Sequence, residues 1–285
     1  VELIDEFEAA RPRLLSLAHR MLGSVHDAED VVQAAWLRTR AAKRTEVQNP
    51  DGWFTTVTAR LCLDQLRARE RRGELPLLAD AIPSGQIAAD EDFLHREDVS
   101  RALLVLLDQL TPAQRVAYVL HDLFSAPFEQ VATVLGTSPT NAKKQASRAR
   151  LRIREHNPDV EVGPIETAEH ARIVEAFLAA ARGGDIDTLI TLMAPDVVRT
   201  VAPDVLPGGA AAEVRGARNV AQETRNFIDR IHASVPMLVN GRAGAVIAPG
   251  GHPLALIRFE IAGDRITTIT IARPRQGPEV RYRRP

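Results

Sequence analysis

The chain reads as two all-α helical domains followed by an α+β domain. Three observations predict this order. Apolar residues recur at helical spacing through about the first 155 residues. A stretch from Gly73 to about Asp92, acidic and broken by proline and glycine, divides that helical part in two. After His156-Asn157-Pro158 two further helical patterns give way to short apolar runs separated by glycine turns. The expected divisions are 1–74, helical; 75–97, an acidic linker; 98–157, helical; 158–166, a short linker; and 167–285, α+β. A length of 285 residues accommodates about two or three domains.

Phe7, Leu14, Leu17, Ala18 and Met21 mark the first helical stripe, which Gly23 ends. A second helix starts near Asp27 and carries Val31, Val32, Ala35 and Trp36. Asn49 and Pro50 give a cap and first-turn signal for a third. That helix runs through Trp53, Phe54, Val57, Leu61 and Leu66 into Arg67, Arg69, Arg71 and Arg72. Pro76, Pro83, Ser84 and Gly85 then break the period, and Asp80, Asp90, Glu91 and Asp92 make the segment acidic, so an extended linker is expected. Val99, Leu103, Leu106 and Leu110 resume a helical stripe. Thr111, Pro112 and Gln114 form a capping box with proline at the first helical position. Val116, Ala117, Leu120 and Leu123 follow it.

Pro127 to Arg154 is the most informative stretch. Phe128, Val131, Ala132 and Leu135 recur at i, i+3, i+4 and i+7, the stripe of a short buried helix. Gly136 supplies a turn, Ser138 an N-cap and Pro139 a first helical residue. The next helix keeps only a narrow seam of Ala142, Ala146, Ala149 and Ile153. Its other face shows Thr140, Asn141, Lys143, Lys144, Ser147, Arg148 and Arg152, and no acid occurs from Gln130 through Arg154. This is a helix-turn-helix pattern. Its positive face can neutralise phosphates, and its short polar side chains near the N-terminus can reach base edges. A basic helix face that is merely solvated has the same pattern.

Formal net charge is −1, so DNA binding cannot rest on bulk charge; the basic residues matter because Arg67–Arg72 and Lys143–Arg154 segregate them. Cys62 is the single cysteine, which excludes an intrachain disulfide and a cysteine-rich metal site. Aromatics make up 4%, too few for single-strand binding on many stacking platforms. No apolar run is long enough to span a bilayer and no signal-peptide pattern opens the sequence, so a cytoplasmic protein with no membrane partner is expected. Walker A, dinucleotide, zinc and nucleophile-elbow motifs are absent, and neither metal nor cofactor is expected.

In the last part, helices fit 168–182 and 186–193. Short strands fit 236–240, 245–248, 255–261 and 265–271, with turns at Gly241, Gly250-Gly251 and Gly263-Asp264. A helix near 217–232 interrupts them, giving an α+β domain.

Three blocks fall in one order. The block from Asp27 through Glu29, Asp30 and Gln33 to Trp36 resembles the core-polymerase-binding helix of region 2 in extracytoplasmic-function (ECF) sigma factors. Asp51 to Phe54 and Leu61 to Arg67 resemble the helix those proteins use to melt and read the −10 promoter element. Leu110 to Arg115 and Phe128 to Arg154 resemble region 4, which reads the −35 element. The resemblance covers about the first 155 residues and implies two partners, RNA polymerase core and promoter DNA. It assigns core binding to Asp27, Glu29, Asp30 and Gln33, and −10 contacts to Trp53, Asp64, Arg67, Arg69 and Arg71. The −35 contacts fall to Thr140, Asn141, Lys143, Lys144, Ser147 and Arg148.

Each assignment has a plainer counterpart. First-turn carboxylates also stabilise a helix N-terminus. Trp53 fits either an unstacked base or the core. Arg67, Arg69, Arg71 and Arg72 fit either phosphates or a solvated face. Asp64 either accepts from a base amino group or orients a basic neighbour.

The C-terminal part resembles a SnoaL-like domain, a cone of curved sheet and helices around a cavity. The matching stretches are Phe177–Leu189, Met193–Val198, Val214–Gly216, Val239–Gly241 and Ile261–Ile266. A subset of ECF sigma factors carries such a domain in place of a separate anti-sigma partner. The resemblance implies regulation in cis and a cavity able to take a small-molecule ligand. Two departures stand out: Leu75–Asp80 is the nearest match to the family's proline-rich linker element, and Pro207–Ala210 lacks the lysine that often ends its glycine-rich stretch. Some SnoaL-like relatives are isomerases or cyclases. Asp196, Asp204, His232 and His252 are acid–base candidates by type alone, with His252 expected in an exposed turn, and no pair at fixed spacing supports catalysis. The expectation is a sigma factor and not an enzyme. The alternatives are a SnoaL-type enzyme tethered to a DNA-binding module, or a helix-turn-helix regulator that needs no polymerase.

Overall fold

The computed structural model describes residues 3–42, 47–72, 84–96, 101–154, 164–239, 242–274 and 282–283. They form two compact units, a helical one ending at Arg154 and an α+β one beginning at Pro164.

In the helical unit α1 (Leu3–Leu22), α2 (Val25–Ala41) and α3 (Pro50–Arg72) pack pairwise. The five residues of the α1 stripe are all buried, and Phe7 meets Phe54 edge-on with ring centroids 5.2 Å apart. α2 starts two residues before Asp27 because Ser24 caps it, its hydroxyl accepting from the Asp27 N–H at 3.3 Å. Asn49 caps α3 in the same way, accepting from the Gly52 N–H at 3.1 Å.

The acidic segment departs from expectation. Ser84–Arg96 is a helix, α4, rather than part of an extended linker. Its period was hidden because Asp90 occupies a fully buried position of the stripe that ends in Phe93 and Leu94. The Asp90 carboxylate accepts from the Val25 N–H at 2.7 Å, satisfying one of the donors that a helix start leaves open. Gln86 Nε2 donates to Ser24 Oγ at 2.7 Å, and the rings of Phe93 and His19 lie 4.3 Å apart. Residues 73–83 and 97 of that expected linker, and 158–163 of the second, lie outside the described residues.

α5 (Arg101–Leu107) buries Leu104, Val105 and Leu107 most deeply; of the expected stripe Leu106 and Leu110 are buried and Leu103 is half-buried. Val99 lies outside the described residues. α6 (Pro112–Tyr118) opens on the expected capping box and runs into a π-helical turn, Val119–Leu123. α7 (Phe128–Leu135) and α8 (Pro139–Arg154) complete the unit. One continuous apolar core runs from α1 to α8 and joins the two predicted helical parts. Polar bonds cross that junction. Gln130 Nε2 donates to the Gly52 carbonyl at 2.9 Å, Arg60 Nη2 to the Thr133 carbonyl at 2.8 Å, and Arg115 Nη1 to the Met21 carbonyl at 3.1 Å.

The α+β unit opens with α9 (Pro164–Gly183), which starts inside the expected linker, and α10 (Ile186–Leu192). A seven-stranded sheet follows: β1 (Met193–Val201), β2 (Glu213–Arg215), β3 (Ser234–Val239), β4 (Arg242–Ile247), β5 (Ala255–Ala262), β6 (Arg265–Ala272) and β7 (Tyr282–Arg283). Its order is β2-β1-β6-β5-β4-β3-β7, with β1 and β6 parallel and every other neighbour antiparallel. β3 to β6 lie close to the expected runs. β1 was not expected, because a register shift between Met193 and Val198 spans Pro195 and Asp196 and erases the alternation. The expected helix over 217–232 is divided into α11 (Ala217–Glu223), a 3-10 turn (Thr224–Phe227) and α12 (Ile228–His232). Val174, Phe177 and Leu178 of α9 join Met237, Ala245, Leu256 and Ile269 of the sheet among the buried residues, and Phe177 meets Phe259 at 5.4 Å.

Candidate nucleic-acid interface

The hairpin of α7 and α8 turns at Gly136, whose φ of +66° and ψ of +41° place it in the left-handed region. Its N–H returns to the Ala132 carbonyl, as does the Thr137 N–H at 3.0 Å. Ser138 then starts α8: its hydroxyl accepts from the Asn141 N–H at 3.2 Å and its carbonyl from the Ala142 N–H at 2.9 Å. Ala142, Ala146 and Ala149 are fully buried, and their small side chains let α8 lie closely on α6 and α7. Packing thus fixes which side faces out. Thr140, Asn141, Lys143, Lys144, Ser147 and Arg148 are all exposed on one face. Asn141 Nδ2 donates to Thr137 Oγ1 at 3.2 Å, which orients its amide. Further along, Arg150 Nε pairs with Asp122 at 2.7 Å and Arg152 Nη1 reaches Gln114 Oε1 at 3.5 Å. Arg150 therefore holds α8 in place, while the preceding cations face solvent.

On α3, Asp64, Arg67 and Arg71 are exposed along the C-terminal half. Trp53 is half-buried and packed on the core, its ring edge-on to Phe54 at 5.8 Å, which favours the plainer of its two readings. Arg69 and Asp27, assigned to different partners from sequence, meet each other. Arg69 Nη2 donates to Asp27 Oδ2 at 2.6 Å and Nη1 to the Leu22 carbonyl at 3.2 Å, while Gln65 Nε2 donates to Asp27 Oδ1 at 2.9 Å. Both side chains are about one-fifth exposed. Their spacing of 42 residues hid this pairing from sequence reasoning.

On α2, Glu29, Asp30 and Gln33 share an exposed face with Leu37, which is 55% exposed. Leu37 was missed, although Asp30, Gln33 and Leu37 are spaced i, i+3 and i+7. A large apolar side chain exposed on a polar helix face is a fit contact for a protein partner. Beside it the Arg40 guanidinium lies 4.9 Å from the centroid of the Trp36 ring.

The α+β unit holds a cavity of about 90 Å³, walled by Ile257, Ile269 and Ile271 of the sheet, Phe177 of α9, and Phe227 and Ile231 from the broken helical stretch. The acid–base candidates stand elsewhere: Asp196 and His232 are exposed, and Asp204 pairs with Arg273 at 3.2 Å. His252 corrects its expectation. It is 6% exposed, because the turn through Gly250 (φ +60°) and Gly251 (φ +89°) folds it inward. Among the described residues no group of three or more His, Cys, Asp or Glu side chains gathers, and no helix is long and apolar enough to cross a membrane.

A buried-seam helical hairpin with an acid-free cationic outer helix defines a helix-turn-helix DNA-binding protein. Residues 7–72 match the family model for sigma-70 region 2, and residues 100–153 that for sigma-70 region 4. The chain is 38% identical over 278 residues to the ECF RNA polymerase sigma factor SigJ of Mycobacterium tuberculosis, covering 94% of this chain and 87% of that one. The crystal structure of Mycobacterium tuberculosis SigJ matches 97% of both chains at 34% identity with a TM-score of 0.46. A SnoaL-like protein of unknown function from Burkholderia thailandensis matches 39% of this chain and 99% of its own at 16% identity, with a TM-score of 0.31. The chain belongs to the ECF RNA polymerase sigma factor family.

Proposed function

We propose that this sigma factor directs polymerase through three separate surfaces of its helical unit, under control in cis by its α+β unit. α8 reads the −35 element: Lys143, Lys144 and Arg148 neutralise phosphates, and Thr140, Asn141 and Ser147 face base edges. Arg67, Arg71 and Asp64 of α3 serve the −10 region, with Trp53 bracing the helix from the core side. Glu29, Asp30, Gln33 and Leu37 of α2 dock on the polymerase core. Asp27 and Arg69 are reserved for joining α2 to α3.

The observation that carries this reading is the α8 face, six exposed side chains with no acid among them. Lys144→Ala and Arg148→Ala should each weaken −35 binding and flatten its salt dependence by about one phosphate contact. Unchanged affinity and slope in both variants would remove α8 from the interface.

The α+β unit acts by contact rather than by a reaction, and its cavity admits a small molecule that biases the contact. In support, none of the four acid–base candidates is among the residues that wall the cavity. The test compares promoter-specific transcription by the whole chain and by residues 1–163 at equal concentration. A strong change in either direction, with core binding retained, is expected; equal activity would end the regulatory reading.

A further inference from the structure

The cavity of the α+β unit has a charge pattern that its apolar walls conceal. Three charged side chains reach its lining: Arg199, Glu223 and Arg230. Arg199, only 5% exposed, is consumed internally, with Nη2 paired to Glu223 and Nη1 donating to the Ala211 carbonyl at 2.8 Å. Arg230 has no such partner. Its Nη1 donates to a neutral acceptor, the Val205 carbonyl at 2.7 Å, and among the described residues no carboxylate lies within ion-pair distance of it. The two hydroxyls of the lining have their hydrogens committed as well: Thr224 Oγ1 donates to the Ala221 carbonyl at 2.6 Å and Ser234 Oγ to the Arg230 carbonyl at 2.8 Å. Among the described residues the lining therefore carries one positive charge with no carboxylate partner, that of Arg230.

We propose that this cavity binds a small apolar carboxylate, its hydrocarbon part among the isoleucines and phenylalanines and its head on Arg230. This rests on the reading of the α+β unit as a ligand-responsive regulator and names the ligand class for it. Size sets the body. A water needs about 10–15 Å³ of such space, so a cavity of about 90 Å³ takes roughly six to nine heavy atoms. Ile257, Ile269 and Ile271 on one side and Phe177 and Phe227 on the other suit an aromatic ring or a short branched chain. The head follows from chemistry. A guanidinium keeps a planar fork of donors after giving one to a carbonyl, and a carboxylate can take two of them together. An ammonium head would meet the same positive charge, and a neutral ligand would leave the fork unused.

Binding to the whole chain is measured by calorimetry with three probes of equal ring size: benzoate, toluene and benzylamine. Benzoate should bind about tenfold or more tightly than toluene, the value of a charge-assisted hydrogen bond, and benzylamine should not bind. Arg230→Gln should abolish that advantage and leave toluene affinity within about twofold, while Arg230→Lys, which keeps the charge without the fork, should retain part of it. Ile257→Phe, which fills the cavity, should remove binding of both benzoate and toluene. The proposal is overturned if benzoate binds no better than toluene, if folded Arg230→Gln binds benzoate as the parent chain does, or if the parent chain binds none of the three. The transcription comparison between the whole chain and residues 1–163 is independent of these titrations. Its failure with binding intact would overturn the regulatory reading alone.

Discussion

Replacing Asp27 by alanine should cost fold stability, whereas replacing Asp30, three residues along the same helix, should cost polymerase affinity. Asp27 accepts from Arg69 at 2.6 Å and from Gln65 at 2.9 Å, and its side chain is 19% exposed. A hydrogen bond to a charged group is worth about 1.5–3 kcal/mol and a neutral one about 1 kcal/mol. Partial solvent access screens the ion pair and lowers the sum, leaving a loss of about 2 kcal/mol for Asp27→Ala. For a chain of this size each kcal/mol moves the midpoint by about 2–4 °C, so calorimetry should show the helical unit melting about 4–8 °C lower. Asp30 is exposed, and its nearest partner is His26 Nε2 at 3.9 Å. Asp30→Ala should stay within about 0.5 kcal/mol of the parent while weakening core binding in a titration. The double variant Asp27→Ala with Arg69→Ala completes a cycle, and a coupling of about 1 kcal/mol is expected from two groups in direct contact. The argument fails if Asp27→Ala melts with the parent, or if the cycle shows the two side chains to be independent.

Other expectations concern the hairpin, the junction and the buried thiol. Gly136→Ala forces a methyl group into the left-handed region at φ +66° and should destabilise the hairpin by about 1–2 kcal/mol; urea unfolding and −35 binding would both report it. Arg60→Ala with Gln130→Ala removes three hydrogen bonds between α3 and α7. The −10 and −35 elements are about 25 base pairs apart, about 85 Å of duplex, so weakening the junction, which the shared apolar core still holds, should raise affinity for a fragment bearing both elements without changing affinity for either alone. Equal affinity for the two-element fragment would show that the junction does not oppose promoter binding. Burial pushes the Cys62 thiol well above its ordinary value of 9.0. The stabilising effect of burying it protonated is therefore full below about that pH and fades as the pH climbs further. At pH 8 a thiol reagent should label Cys62 only as fast as the helical unit opens; rapid labelling of the native protein would contradict its burial.

The hairpin was legible in the sequence because its determinants are local. Gly136, Ser138 and Pro139 specify a turn and a helix start within four residues, and the alanine seam at Ala142, Ala146 and Ala149 leaves one side of α8 to face out. The capping box at Thr111 was legible for the same reason. Tertiary structure decided what depends on residues far apart in the chain. Asp27 and Arg69 each fitted an external partner, and only folding shows that they also meet each other across 42 positions. Asp90 counted as one more linker acid, whereas the fold buries its carboxylate at the centre of a helix stripe and bonds it to the open N–H of Val25. β1 was hidden by its own register shift, and it is held by β2 on one side and by β6 on the other, far along the chain. The cavity is the extreme case: no local pattern assigns Glu223 to Arg199 and leaves Arg230 over. Short-range hydrogen bonds and side-chain periodicity are written in adjacent letters, whereas the pairing of charges is settled by which surfaces the folded chain presses together.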